Sequence, residues 1–182
     1  SQNVIVQASY DKSGRLLNLR DPNGNLTNYE YDQLGRRTKL GNPLGYEWLI
    51  SYEDVGQNSR VTMTNPGIEA ISNVWQSYDV QQDFDRLGRL TEVTYPDADV
   101  TADVSFSYDV AGNRTAMLEQ DSNTVVRETQ YQYDAMNRLI QVDFDRDGDT
   151  TIEDSVHYRY DERGLRTQLV IDPSGDNLQV TY

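Results

Sequence analysis

The sequence lacks most of the residues on which catalytic and metal chemistry depends. Its 182 residues include no cysteine, which excludes disulfides, thiol nucleophiles and thiolate metal sites. The single histidine, His157, rules out a histidine-rich zinc site, and no nucleophile-elbow sequence accompanies it to suggest a Ser-His-Asp triad. We therefore expect a protein that is not an enzyme, with no catalytic residues and no cofactor-binding residues.

Long apolar runs and an excess of basic residues are also absent. No stretch of apolar residues approaches the length of a membrane span. The chain carries 30 acidic and 16 basic residues, a net charge of −14, whereas nucleic-acid binding needs a basic surface. We therefore expect neither a membrane span nor a nucleic-acid partner. The apolar fraction of 36% and the 13 tyrosines suit a thin sheet better than a thick core.

A recurring motif is the main positive feature of the sequence. Two aromatic residues two positions apart precede Asp, two variable residues, Gly and Arg, and the clearest copy covers residues 29–36. Aromatic and β-branched residues at period two predict a β-strand with one buried face. The Asp-x-x-Gly that follows predicts a type I turn, in which Gly adopts a positive φ. The aromatic residues directly before the turn in the successive copies are Tyr10, Tyr31, Tyr52, Phe84, Tyr108, Tyr133 and Tyr160, and Tyr182 closes the chain.

A second type of turn, rich in proline, separates these motifs. Asp-Pro-x-Gly or Asn-Pro-x-Gly occurs at residues 21–24, 42–45 and 172–175, and residues 65–67 (Asn-Pro-Gly) are a shortened version. Proline presets φ at the second turn position, and Asp or Asn suits the first. One repeat is therefore two antiparallel strands, and the first copies are 21 residues apart.

The spacing of the copies predicts one repeat-array domain. Residues 1–9 are expected to be a leading strand that includes vector-derived residues, and residues 10–182 hold about seven repeats, irregular at 57–82. Because the chain begins with neither Met nor a signal peptide, we expect it to be a fragment of a larger protein. About fourteen strands are more than an open sheet holds without curling, and strands twist with a fixed hand. The predicted fold is all-β, with tandem antiparallel β-hairpins in a twisted, curving or spiralling sheet.

Arginine outnumbers lysine by 14 to 2, and several arginines directly follow a turn glycine. A guanidinium group presents a fork of donors that suits carboxylates and carbonyl oxygens. We therefore expect these arginines to bridge neighbouring hairpins, and the alternative is a role in binding a ligand.

The motif Tyr-x-Tyr-Asp-x-x-Gly-Arg, separated by Asp-Pro-x-Gly turns, closely resembles the YD-repeat (Rhs-repeat) family from Tyr10 to Tyr182. That family includes bacterial Rhs proteins, the encapsulating component of Tc toxins, and teneurins. The resemblance implies a segment of a hollow YD-repeat shell that encapsulates or displays a C-terminal toxin domain. It also implies an exported bacterial protein, secreted or at the cell surface, whose first partners are the neighbouring YD repeats of the same chain.

Extracellular members of the family imply an alternative function, an adhesive module that binds carbohydrate or a protein receptor with the help of calcium. Trp48 and Trp75 lie in or near the irregular part of the array, where an aromatic ring either stacks on a sugar or packs beneath a loop. Toxin members also have a self-cleaving aspartyl site with Asp-Pro-x-Gly sequences. Residues 21–24 and 172–175 match it by letter, but the turn interpretation accounts for both.

One segment departs from the repeat because it is rich in carboxylates. It matches the Asp-x-Asp-x-Asp-Gly half of a calcium-binding loop, with Gly148 as its glycine. The predicted metal ligands are Asp143, Asp145, Asp147, Asp149 and Asp154. A hard cation with oxygen ligands relieves the repulsion among clustered carboxylates. The sequence thus predicts a Ca²⁺ site that stiffens a loop, and the alternative is an acidic hairpin tip without a metal.

Overall fold

The computed structural model describes residues 6–56, 58–69, 75–96, 101–121, 124–173 and 178–181. Every regular element in these residues is a β-strand, which confirms the all-β prediction. In the described part of the chain, no helix is long and apolar enough to span a membrane. The strands are β1 (Gln7–Tyr10), β2 (Leu16–Arg20), β3 (Leu26–Tyr31), β4 (Arg37–Gly41), β5 (Glu47–Val55), β6 (Asn58–Glu69), β7 (Trp75–Phe84), β8 (Leu90–Thr94), β9 (Asp103–Tyr108), β10 (Arg114–Asp121), β11 (Thr124–Tyr133), β12 (Leu139–Asp145), β13 (Asp154–Tyr160), β14 (Arg166–Pro173) and β15 (Leu178–Thr181).

The chain divides into two compact units, which meet in sequence between Gly88 and Arg89. In the first unit, β1 to β7 form a meander in which each strand pairs antiparallel with the next. In the second unit, β8 to β15 follow the same rule. Strand neighbours in each unit are therefore sequence neighbours, as tandem hairpins require.

The Asp-x-x-Gly turns have the predicted geometry. In the turn between β1 and β2, the Gly14 amide donates to the Asp11 carbonyl oxygen at 3.1 Å. The Asp11 carboxylate accepts from the backbone amides of Ser13 and Arg15, at 2.8 and 2.9 Å. Gly14 has φ +78°, in the region that glycine reaches without steric cost. The register shift beside Tyr10 marks the bulge that accompanies this type of hairpin. The same backbone hydrogen bonds recur in turns that begin with Asp32, Asp109, Asp134 and Asp161.

At five of the described hairpins, a tyrosine hydroxyl ties the hairpin to the one before it. The Tyr31 hydroxyl donates to the carbonyl oxygen of Leu16, 15 residues earlier, at 2.9 Å. The equivalent bonds join Tyr52 to Arg37 (2.8 Å), Tyr108 to Leu90 (2.7 Å), Tyr133 to Arg114 (3.0 Å) and Tyr160 to Leu139 (2.8 Å). The aromatic residue of the motif therefore has a second role beyond packing, because it also satisfies a backbone acceptor on its neighbour.

The arginine after the turn makes the complementary link. Arg15 Nε donates to the Asp11 carboxylate at 2.6 Å, and Nη1 donates to the carbonyl oxygen of Asp32 in the next turn at 3.0 Å. The same guanidinium lies 5.0 Å from the ring centroid of Tyr31. Arg138 makes the same set of contacts with Asp134, Asp161 and Tyr160. The arginines thus bridge neighbouring hairpins, as predicted.

One link of this series uses asparagine in place of arginine. Asn113 follows Gly112, and its amide donates to the Asp109 carboxylate at 2.9 Å. The same amide also donates to the side-chain oxygen of Asn137 in the next turn, at 2.9 Å. Asn137 occupies the glycine position with φ +61°, which asparagine tolerates better than most residues. The two substitutions therefore replace an arginine bridge with an amide–amide bridge.

The irregular segment differs from the prediction in two places. Strand β5 continues through Val55, which pairs with Asn58. The imperfect copy of the motif that follows Tyr52 therefore does not form an Asp-x-x-Gly turn. Strand β6 continues through Pro66 with a register shift between Asn65 and Ile68, so the expected Asn-Pro-Gly turn is a bulge. Proline is tolerated at a bulge because the unpaired residues there need no ladder donor. The turn expected at 172–175 extends beyond the described residues.

Each unit has little buried interior. The described apolar residue that is buried is Val142, at 7% exposure. Pairing places Tyr131 opposite Val142 and Thr129 opposite Phe144 on one face, while Gln130 lies opposite Asp143 on the other. This alternation confirms the period-two strands. It also means that stability depends on cross-strand contacts more than on a deep core.

Replacement of Tyr160 by Phe tests the tyrosine link. The variant keeps the ring and its contact with Arg138 but removes the donor to the Leu139 carbonyl oxygen. We expect a loss of about 1 kcal/mol in the free energy of unfolding, measured by urea denaturation. Tyr10→Phe, at a tyrosine that is 60% exposed, is the matched control and should change little. Equal stability of both variants would contradict the link.

The turn carboxylates predict acid sensitivity. The pKa of Asp134 lies below its ordinary value of 3.8, chiefly because its carboxylate accepts from the Arg138 backbone amide. A carboxyl group with a lower pKa in the folded state contributes stability above its unfolded pKa and loses it as pH falls through the folded pKa. Unfolding by urea should therefore become easier below about pH 4. Asp134→Asn keeps the turn acceptor, as Asn42 does in its own turn, and should reduce this pH dependence. An unchanged pH profile in that variant would show that other groups cause the effect.

Candidate functional site

The acidic segment forms the loop between β12 and β13. Strand β12 ends at Asp145 and β13 begins at Asp154, so the loop is longer than the neighbouring hairpin turns. The Asp145 carboxylate organises the loop, because it accepts backbone hydrogen bonds from Asp147, Gly148 and Thr150 at 3.2, 2.6 and 2.8 Å. Because one aspartate side chain accepts hydrogen bonds from several backbone amides, the loop closes tightly around that side chain.

Four carboxylates of this loop converge. One oxygen from each of Asp145, Asp147, Asp149 and Glu153 lies within 4.8 Å of the other three. Asp145 is buried and Asp147 and Asp149 are exposed, so the group opens to solvent on one side. The pKa of Asp149 is lowered by its hydrogen bonds to Thr151, from the side chain and the backbone, which favours the charged form. Four oxygens at this separation match the ligand type that Ca²⁺ prefers.

The structure separates two of the predicted ligands from this group. Asp143 lies within β12 at 6% exposure and accepts hydrogen bonds from Gln141 at 2.8 Å and from the Ser155 hydroxyl at 2.6 Å. Asp154 forms an ion pair with Arg146 Nε. Glu153 joins the group instead, and sequence analysis did not select it. Glu153 could have been identified from the sequence. If the calcium-loop motif is numbered from Asp145, Glu153 falls at position nine, which is a ligand position.

The loop packs against the preceding hairpin. A Cβ atom on Gly148 would lie 2.1 Å from the carbonyl oxygen of Val125, so the backbone of the loop touches the backbone of β11. Gly148 has φ +75°, and Thr150 has φ +74° although it is β-branched. A positive φ at a β-branched residue costs free energy and persists only where the surroundings impose it. The converging carboxylates are therefore held in place by packing as well as by hydrogen bonds.

The other residues selected from the sequence lie in structural settings. His157 lies in β13, opposite Gln141 and Val170. Trp48 is half-buried in β5 opposite Leu40, and the side chain of Trp75 is outside the described part of the structure. Asp21 begins a turn, where its carboxylate accepts from the backbone and the side chain of Asn25 at 2.8 and 2.7 Å.

A concave region lies near the acidic loop in the second unit. It has a volume of about 540 Å³ and is lined by residues that include Tyr95, Glu119, Asp121, Arg127 and Arg146. Arg127 forms an ion pair with Glu119 at 3.4 Å. The region therefore combines an aromatic ring with paired charges, a set of groups that can exchange hydrogen bonds with a polar ligand.

Comparison with known proteins bears on the whole chain. The RHS repeat family model matches residues 10–47 and 84–124. No curated protein sequence matches the chain. Solved structures do match: the TcdB2-TccC3-Cdc42 crystal structure has a TM-score of 0.63 at 19% identity, and the TcdB2-TccC3-TEV structure has 0.64 at 18%. The Photorhabdus luminescens Tc holotoxin pore has a TM-score of 0.61 at 18% identity.

These likenesses cover 97% of this chain but only 9–10% of the matched chains, so the chain spans about a tenth of their length. At such low identity they establish the fold. The first segment of the family match contains the Asp11 and Asp32 turns with the Arg15 link between them, and the second contains the Asp109 turn. Residues 10–47 and 84–124 are therefore RHS repeats (YD repeats), as the recurring motif predicted, and the chain as a whole has the fold of the matched structures.

Proposed function

We propose that the chain is a non-enzymatic wall segment of a YD-repeat shell that encapsulates or displays another domain of a large secreted or cell-surface protein. The observation that carries the proposal is the recurring link between hairpins, in which a tyrosine hydroxyl and an arginine join one repeat to its neighbour, as Tyr31 with Arg15 and Tyr160 with Arg138 do. Because every link uses sequence neighbours, the same arrangement extends over any number of repeats. A continuous wall is the natural product of such a series.

The matched structures support a shell more than an isolated module. Each matched chain is about ten times longer than the segment that resembles this one. Another matched structure is TcdB2-TccC3 without its hypervariable C-terminal region, so that protein has a C-terminal region that varies. By analogy, the partner of this wall is a C-terminal toxin domain of the same polypeptide. Export to the medium or the cell surface would follow from that role.

Turn chemistry supports a role without catalysis. The turn aspartates carry hydrogen bonds that shape the backbone, as Asp11 and Asp134 do. His157 stands opposite Gln141 and Val170 in the sheet. The turn aspartates are thus accounted for by the architecture.

The shell proposal predicts that a terminal domain is protected by the array. The complete polypeptide, expressed from its native coding region, should contain many more repeats and a distinct C-terminal domain. That domain should resist limited proteolysis while the array is folded, and a variant with the array deleted should lose the resistance. A polypeptide with few repeats and no further domain would contradict the proposal, because it would have nothing to enclose.

The adhesive alternative has its own support in the concave region of the second unit. Tyr95, Glu119 and Arg127 line an opening where an aromatic ring and charged groups meet a polar ligand. A carbohydrate or a receptor loop would suit these groups better than an apolar molecule. A short complete polypeptide would favour this alternative over the shell, because it would have nothing to enclose.

Calcium binding by the acidic loop is a second proposal, and it is compatible with either role. The ligands would be the carboxylates of Asp145, Asp147, Asp149 and Glu153, whose oxygens already lie within 4.8 Å of one another. Asp143 and Asp154 would support the site indirectly, since Asp143 is bonded to Ser155 and Asp154 to Arg146. The bound ion would stiffen the loop against β11, where Gly148 touches Val125.

Added Ca²⁺ should therefore raise the melting temperature of the chelator-treated protein. Binding of Ca²⁺ to the folded state alone adds about 1.4 kcal/mol to the free energy of unfolding when free Ca²⁺ is about ten times Kd. Asp147→Ala should abolish the rise, because Asp147 is exposed and its removal leaves the Asp145 hydrogen bonds of the loop in place. Glu162→Gln, at an exposed acid outside the group, is the matched control and should keep the rise. Absence of any shift in the unmutated protein would remove the proposal.

A further inference from the structure

Two arginines of the second unit take no part in the links between hairpins. Arg127 lies in β11 and Arg146 follows β12, and neither comes directly after a hairpin turn as the bridging arginines do. In the described structure, Arg127 forms an ion pair with Glu119 at 3.4 Å, and Arg146 forms one with Asp154. Their side chains are 65% and 68% exposed, against 28% for the bridging Arg138. Their guanidinium groups therefore keep N–H donors for a ligand.

The strand register brings these two arginines close together. Strand β11 pairs with β12 so that Glu128 lies opposite Asp145. The next position of the same register is occupied by Arg127 and Arg146, which we call the arginine pair. Both arginines line the same two concave regions, the one of about 540 Å³ described above and a second of about 520 Å³. Like charges at opposite positions of two strands repel each other, so an anion bound between them would relieve this cost.

An apolar floor adjoins the arginine pair in the second concave region. Met117 lies opposite Thr129, and Thr129 lies opposite Phe144, so the three side chains share one face of the sheet. All three line the second region together with the arginine pair. Thr129 is buried, while Met117 and Phe144 are half-buried and present apolar surface. The region therefore places guanidinium donors beside an apolar surface, which suits a ligand with a charged head and an apolar body.

From these observations we propose that the arginine pair binds the carboxylate of an amphiphilic ligand, whose apolar body covers Met117 and Phe144. A guanidinium fork matches a carboxylate with two parallel hydrogen bonds. A singly charged carboxylate fits better than a doubly charged phosphate, because Glu119 and Asp121 line the adjoining region and the chain has a net charge of −14. The inference rests on neither role proposed above, since a wall segment and an adhesive module both contain this region.

Two sources can supply a carboxylate with an apolar body. One is a free aliphatic or aromatic carboxylic acid, and the other is the C-terminal carboxylate of a polypeptide that ends in an apolar residue. Strands β10 and β11 pair with neighbours on both sides, so a peptide has no strand edge to join at this region. A polypeptide would therefore bind through its terminus.

Titration followed by NMR chemical shifts tests the binding of phenylbutyrate, a free acid with an apolar body. We expect a Kd of about 1 mM or tighter, with shifts in the amides of β10, β11 and β12. Phenylbutyramide, which lacks the charge, should bind about tenfold more weakly because it loses the charge-assisted hydrogen bonds. Added salt should weaken the binding of the acid by screening. Equal binding of acid and amide would overturn the proposal, and so would tighter binding of inorganic phosphate than of phenylbutyrate.

Substitution of one arginine tests the assignment of the head group. Arg127→Ala should raise the Kd for phenylbutyrate about tenfold. Arg127→Lys should recover only part of the affinity, because an ammonium group lacks the planar fork. Arg163→Ala, at an exposed arginine outside both regions, is the matched control and should leave Kd unchanged. Circular dichroism of each variant checks that the β-sheet is intact. If folded Arg127→Ala binds the acid as tightly as the unmutated chain, the proposal is wrong.

A peptide probe identifies the source of the carboxylate. Acetyl-leucyl-phenylalanine with a free C-terminus is compared with phenylbutyrate and with its own C-terminal amide. Tighter binding of the peptide acid than of phenylbutyrate would assign the region to a polypeptide C-terminus, and the reverse order would assign it to a free acid. Absence of shifts with either acid at about 10 mM would overturn the inference. The wall proposal would survive that result, because it is tested by the protection of a terminal domain.

Discussion

The contact on which this architecture depends is the one between an arginine and the turn of the next hairpin. Arg15 binds the carboxylate of its own turn and the backbone carbonyl of the next one, while its guanidinium covers the ring of Tyr31. The Tyr31 hydroxyl in turn donates to the carbonyl oxygen of Leu16, the residue that follows Arg15. A step of this kind fixes both the distance and the orientation of two hairpins. A thin sheet needs such links between hairpins, because among the described residues few apolar side chains, such as Val142, are buried and could hold the sheet together.

Because each step joins only nearest neighbours, the energetics are those of a one-dimensional array. The stability of such an array is approximately a sum of terms for single repeats and for the interfaces between neighbours. A weak interface is therefore a local event, as where Asn113 and Asn137 replace the arginine bridge by an amide pair. The same additivity explains how the array tolerates the long acidic loop between β12 and β13. A longer connection at one hairpin leaves the Tyr160 link to Leu139 intact.

The sequence predicted the parts of this structure that depend on local geometry. The Asp-x-x-Gly turns, the period-two strands and the bridging arginines each follow from a few neighbouring residues, and the structure has all three. The errors arose where pairing over a longer range decided the outcome. The Asn-Pro-Gly segment at 65–67 resembles a turn, but the register between β6 and β7 makes it a bulge. At Tyr52 the ladder with β6 extends the strand to Val55 in place of a turn.

The acidic loop shows the same limit on a finer scale. Its carboxylates were evident from the sequence, but the choice among them depends on where β12 stops. Strand pairing holds Asp143 inside the sheet, where Gln141 and Ser155 satisfy its carboxylate. The loop closes around Asp145, and the backbone amide of Glu153 donates to the Phe144 carbonyl oxygen at 3.0 Å, which brings Glu153 towards the other carboxylates. Spacing alone does not record which carboxylates the neighbouring strand has already bound, so the sequence could not show that Asp143 is held by Gln141 and Ser155 while Glu153 approaches Asp145.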